Sequence, residues 1–84
     1  MFNFSANNLF LKNRFIYDKA TLFIFIDKHT NRTYKLYDYS KKLTFENDIP
    51  YCISGKINSA NDKLYLIIES AKTDKKNASD IHPQ

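Results

Sequence analysis

Glycine is nearly absent from this chain: Gly55 is the only one, beside two prolines, one cysteine and no tryptophan. Each scarcity excludes something. Without a Gly-rich loop there is no nucleotide-phosphate cradle of the usual kind. A lone Cys52 rules out an intrachain disulfide scaffold and fits a reducing cytosol. Cys52, His29 and His82 share no ligand spacing, so no metal and no other cofactor is expected. The longest unbroken apolar run, Leu22 to Ile26, falls far short of the roughly 20 residues of a membrane span. The opening MFNFSANNLF lacks the charged start, apolar core and cleavage site of a signal peptide. The expected location is cytoplasmic, with no membrane partner.

Catalytic constellations are scarce too. Asp27 and Asp38 could face each other across a hairpin, but acids so placed more often pair with Lys28, Arg32 or Lys35. Cys52, flanked by Tyr51 and Ile53, reads as a small half-buried hydrophobe. His29, Arg32, Lys35 and Tyr37 are the types a small ribonuclease gathers at a scissile phosphate, yet the pair of long helices that precedes such a site is missing. The chain is read as non-catalytic.

What is present is aromatic and basic. Seven Phe and six Tyr sit in 84 residues, and each can bury roughly 150–250 Å². That matters in a chain whose size lets it bury only about 60% of its unfolded surface. Net charge is +4, and it is unevenly spread. From Lys12 to Lys42 eight Lys or Arg face three Asp, a balance of +5; from Leu43 to Lys72 the balance is −1. A basic half points to a polyanion. The same residue types share AT-rich codons, so charge alone does not decide the partner.

The dominant hydrophobic period is two, the mark of strands. LFLKNRFIY places Leu9, Leu11, Phe15 and Tyr17 on one face and Lys12 and Arg14 on the other. ATLFIFID is apolar on both faces, Leu22, Ile24 and Ile26 opposing Phe23 and Phe25. RTYKLYDY offers Tyr34 and Leu36 to a core and turns Lys35, Tyr37 and Tyr39 outward; with a short loop near His29–Asn31 it forms a hairpin. SKKLTFEND fits either a short strand or one helical turn. YCISGKIN and KLYLIIESAK form a second hairpin through the four-residue turn SAND, and Gly55 marks a bulge or bend. Asn and Asp must supply most turns, since both tolerate the left-handed region. Phe2 and Phe4 are expected to fold back on the core. Residues 1–72 are read as one domain and 73–84 as a disordered tail.

Five or six short strands with frequent turns predict an all-β fold, a small OB-like barrel or rolled antiparallel sheet. Single strands of nucleic acid are held by cationic grooves and stacking rings. Phe23 and Phe25 could stack, but one hairpin face must fill the core and they are assigned there. The candidate nucleic-acid-binding residues are Lys12, Arg14, Lys28, Arg32, Lys35, Tyr37 and Tyr39.

The order of RTYKLYDYS, YCISGKIN and KLYLIIESAK, with the last hairpin turning through SAND, resembles small OB-fold single-stranded DNA-binding proteins of phages and mobile elements. The resemblance spans roughly residues 20–72. It implies a five-stranded barrel, often a homodimer, that coats displaced strands without sequence preference; no site residue is carried over from it. The expected function is a non-catalytic module binding single-stranded nucleic acid through a basic, aromatic sheet face. The alternative is a small phage- or plasmid-encoded protein that binds and inhibits a host or defence enzyme.

Overall fold

The alternation of period two is realised in five strands. The computed structural model describes residues 2–74, and these form β1 (Phe2–Ile16), β2 (Thr21–Asp27), β3 (Arg32–Asp38), β4 (Tyr51–Ala60) and β5 (Lys63–Thr73). They pair in the order β1-β2-β3-β5-β4, and β4 returns to β1 to close a barrel. All pairings are antiparallel except β3 with β5, which run parallel through Leu36–Leu66 and Tyr37–Ile67. A closed five-stranded barrel of this order is the OB fold. The expected tail lies, from residue 75 onward, outside the described residues. Thr73 pairs with Tyr51, and the Asp74 N–H donates to the Pro50 carbonyl at 2.8 Å.

β1 serves two neighbours. Phe2 to Leu9 pair with β4, and Leu9 to Ile16 pair with β2. The strand therefore begins seven residues earlier than the periodicity of LFLKNRFIY indicated. It changes partner at Asn8, whose φ of 60° lies in the left-handed region beside a register shift between Ala6 and Leu9. A second shift, between Leu11 and Asn13, leaves Lys12 as the extra residue of a bulge. The bulge corrects the expected faces. Leu11 stays opposite core residue Phe25, but Phe15 comes opposite Leu22 and turns outward, 42% exposed. One inserted residue exchanges the faces of everything after it.

The core is Leu9, Phe23, Phe25, Leu36, Phe45, Tyr51, Ile53 and Ile68. Phe23 and Phe25 are completely buried, as one face of the β2–β3 hairpin requires. Phe4 packs partly against this cluster, whereas Phe2 is 74% exposed, contrary to expectation. SKKLTFEND is neither strand nor helix: residues 39–50 form an irregular connection that delivers Phe45 into the barrel. The Phe45 ring meets Phe23 at 4.8 Å, Phe25 at 5.0 Å and Tyr51 at 4.9 Å, each nearly perpendicular. Edge-to-face contacts of this kind add about 0.5–1.5 kcal/mol each beyond area burial.

Two local features explain the tight β4–β5 hairpin. Asn61 and Asp62 both have positive φ, 52° and 65°, as a two-residue type I′ turn demands. The turn is thus shorter than the whole of SAND. Gly55 sits at a register shift where β5 crosses close: a Cβ there would stand 1.8 Å from the Ile67 carbonyl oxygen. No helix among the described residues is long and apolar enough to cross a membrane.

Gly55→Ala should therefore destabilise the protein by about 3 kcal/mol or more, the upper end for overpacking, because the clash is with backbone. Phe45→Ala should cost about 3–5 kcal/mol. Urea denaturation followed by far-UV circular dichroism measures both.

Candidate nucleic-acid interface

Directly opposed residues in an antiparallel pair share a face. Leu22 lies opposite both Phe15 and Tyr37, and Ile24 opposite Asn13 and Lys35. Since these alternate with Phe23 and Phe25, they form the outer surface of β1, β2 and β3. Leu22 is buried even so, with Phe15 and Tyr37 on either side of it. Apolar residues on both faces of β2 thus serve two layers, the barrel interior and an outer aromatic layer.

Tyr37 is the centre of that outer layer. Its ring stacks on Tyr39 at 6.3 Å with an interplanar angle of 23°, and meets Tyr65 edge-on at 5.6 Å. Tyr65 arrives from β5, which lies beside β3 through the parallel pairing. Lys35 and Lys63 flank the same rings, lining a shallow depression with Tyr37 and Tyr65. Burial first, and then the neighbouring phenols of Tyr65, Tyr39 and Tyr17, push the Tyr37 hydroxyl above its usual pKa of 10.0. At neutral pH the ring offers a neutral hydroxyl and a π-face, with no charge to repel a phosphate.

The expected set does not come together as one. Lys35, Tyr37 and Tyr39 come together on the outer face, as alternation along RTYKLYDY indicated. Lys12 and Lys28 meet elsewhere, across β1 and β2, in a depression shared with Phe10. There the Lys28 ammonium stands 4.1 Å from the centroid of the Phe10 ring, a cation–π contact worth about 0.5–1 kcal/mol when exposed. Arg14 follows Lys12 on β1, its backbone N–H donating to Asn13 Oδ1 at 2.8 Å. Arg32 opens β3 opposite Asp27, at the turn end of the hairpin. His29 lies in that same turn, its N–H donating to Asp27 Oδ1 at 2.9 Å. From Arg32 to Tyr37 the strand advances about 17 Å, so His29 and Arg32 do not converge with Tyr37 as a ribonuclease site would need.

Tyr65, Lys63 and Tyr17 were not among the candidates. Alternation in KLYLIIESAK does turn Tyr65 outward, and that is the only signal the residues carry. Nothing local says that β5 lies against β3.

Asp38 has a different role from the one expected. It is 1% exposed on the inward side of β3, paired with Thr21 rather than facing Asp27. Its carboxylate accepts from the Ser40 hydroxyl, the Ser40 N–H at 3.0 Å and the Leu43 N–H at 3.0 Å. Among the described residues the ion pair within 4 Å is Lys56–Glu69, at 3.2 Å, not one with Asp38. Burial alone would raise the Asp38 pKa, but the hydrogen bonds from Ser40, Leu43 and Lys41 outweigh it and hold the carboxyl below its usual value. Asp38 thereby fixes the start of the 39–50 connection and the backbone that carries Tyr39.

Cys52 is half-buried. Burial, followed by the charge of Asp74 and its hydrogen bond, pushes the thiol above its ordinary pKa. A thiol so held stays protonated, whereas a nucleophile needs the thiolate.

No protein-family model and no curated protein matches this chain. Among solved structures, the crystal structure of the S. pombe Stn1–Ten1 complex is similar to it, with a TM-score of 0.68 at 15% sequence identity. The match covers 93% of this chain and 63% of that one, so the chain spans somewhat less than two thirds of its neighbour's length. At this identity the likeness is one of fold, and it agrees with the OB topology read from strand order.

The depressed Asp38 pKa makes stability pH-dependent with a definite sign. A carboxyl lowered on folding contributes stability above its unfolded value, near 3.8, and loses it as pH falls through the folded value. Thermal denaturation across this range should show the wild type losing stability more steeply below pH about 4 than Asp38→Asn, which has no charge to lose at that site.

Proposed function

We propose that this protein is a non-catalytic module that binds single-stranded nucleic acid on the outer face of β3 and β5. The observation that carries the reading is the row of three rings, Tyr39, Tyr37 and Tyr65, beside Lys35 and Lys63. Bases stack on such rings and phosphates follow the cations. OB barrels use the surface of strands 2 and 3 for oligonucleotides, and Lys35, Tyr37 and Tyr39 belong to that surface here. Lys12 and Lys28, at the other end of the β1–β2 face, extend the cationic path; Arg14, opposite Phe23, and Arg32, opposite Asp27, fall on the alternate side of their strands and are left out of it.

A second reading, a module that binds a protein partner, is favoured by apolar side chains left open: Phe2 at 74%, Leu64 at 74% and Ile16 at 69% exposure. Pull-down from nuclease-treated lysate separates the two readings, because a protein partner survives the nuclease and a partner bridged by nucleic acid does not.

Fluorescence anisotropy with a labelled single-stranded oligonucleotide tests the first reading. Affinity should fall with salt, and Lys35→Ala should reduce the log–log salt slope by about 0.7, the increment of one phosphate contact on a single strand. Tyr39→Ala removes an exposed ring and should weaken binding by about 1–3 kcal/mol while the far-UV circular dichroism of the folded protein is kept. No binding at low salt sinks the proposal.

A further inference from the structure

An open groove of about 770 Å³ lies next to the tyrosine row, along the β4–β5 hairpin. Phe2, Tyr39, Ile57, Asn58, Tyr65 and Ile67 line it together with the small residues 59–60, and none of these side chains is charged. Tyr65 lines a second depression as well, the one that holds Lys35 and Lys63. One ring therefore stands between an uncharged, aromatic groove and a cationic hollow. A nucleotide has the same division, with a charged phosphate and a flat, uncharged base.

We propose that the groove is a nucleobase subsite. It rests on the single-strand reading above and deepens it. With the backbone phosphates over Lys35 and Lys63, a base crosses Tyr65 and stacks against Tyr39 or Tyr65 in the groove. There it meets the side-chain amide of Asn58, which lies opposite Tyr65 in the β4–β5 register and is exposed. An amide offers both donors and an acceptor, so it discriminates between base edges as a ring face cannot. The strand is then read with a base preference at one position, rather than coated uniformly. A base fits this groove better than a protein segment does, because docking through apolar side chains gains nothing from the two lysines beyond Tyr65. The groove follows the β4–β5 hairpin, whose connecting loop OB barrels use together with the β2–β3 surface; the inference here is that Asn58 reads the base edge.

The test is equilibrium titration of the full chain with four labelled homopolymers and with an oligonucleotide whose bases are replaced one at a time by abasic sugar. One abasic position should weaken wild-type binding at least about fivefold, as for the loss of a stacked base. The homopolymers should differ by about fivefold, as for one added hydrogen bond. Asn58→Ala should flatten that ranking, while Lys35→Ala should weaken base-bearing and abasic strands by the same factor. Asn58 is exposed, and an unchanged Tm confirms that its variant folds. Equal affinity for abasic and base-bearing strands, with both falling in Lys35→Ala, overturns the subsite and base stacking on the tyrosine row alike, keeps single-strand binding through phosphate contacts alone, and leaves the groove to a protein segment. A ranking untouched by Asn58→Ala overturns the role of that residue. Failure of every strand to bind overturns both proposals together.

Discussion

One ring supplied by an irregular connection holds this barrel together. Phe45 sits among Phe23, Phe25 and Tyr51 with three edge-on contacts, yet the residues around it form no strand or helix. Fixing irregular backbone costs about 1–2 kcal/mol per residue, so the connection needs anchors along its length. Asp38 gathers the N–H groups at its start. The Lys41 ammonium donates to the Tyr17 and Asp18 carbonyls, at 2.7 and 3.2 Å, tying it to the β1–β2 turn. The Glu46 N–H donates to the Tyr51 hydroxyl at 2.8 Å, so Tyr51 both packs on Phe45 and bonds the residue after it. Polar groups at the edges keep an apolar ring in the middle.

Filling the interior in this way frees the outer surface. Because Phe23, Phe25, Leu36 and Phe45 satisfy the core, the alternate residues of the β2–β3 hairpin face away from it. Tyr37, Tyr39 and Tyr65 pack on one another instead of inward. Their cluster leaves Tyr39 53% exposed. The same alternation that builds the core thus builds the candidate interface.

Scarcity of glycine imposes a second constraint. Left-handed backbone is needed at Asn8, Asn31, Lys41, Asp48, Asn61 and Asp62, and all but Lys41 are Asn or Asp, whose short polar side chains tolerate that region best. Asn8 lets β1 bend from β4 to β2, a corner where glycine would otherwise be expected. The single glycine is kept for Gly55, where the obstacle is the approach of the Ile67 carbonyl rather than the backbone angle.

Alternation in the chain established an all-β fold, both hairpins, the Asn and Asp turns, the inward path of Phe23 and Phe25, and the outward one of Lys35, Tyr37 and Tyr39. These follow from the two-residue period of a strand, which is local. The bulge at Lys12 was not legible, because a single extra residue leaves the pattern LFLKNRFIY looking continuous while it moves Phe15 and Tyr17 to the other face. The role of Asp38 was hidden as well, since a carboxylate that caps backbone looks in sequence like one that pairs with lysine. What only tertiary structure decided is which strands are neighbours. Parallel pairing of β3 with β5 joins residues about thirty positions apart, and no local propensity encodes it. That pairing brings Tyr65 and Lys63 to Tyr37 and Lys35, and so turns an outward-facing strand into a candidate site.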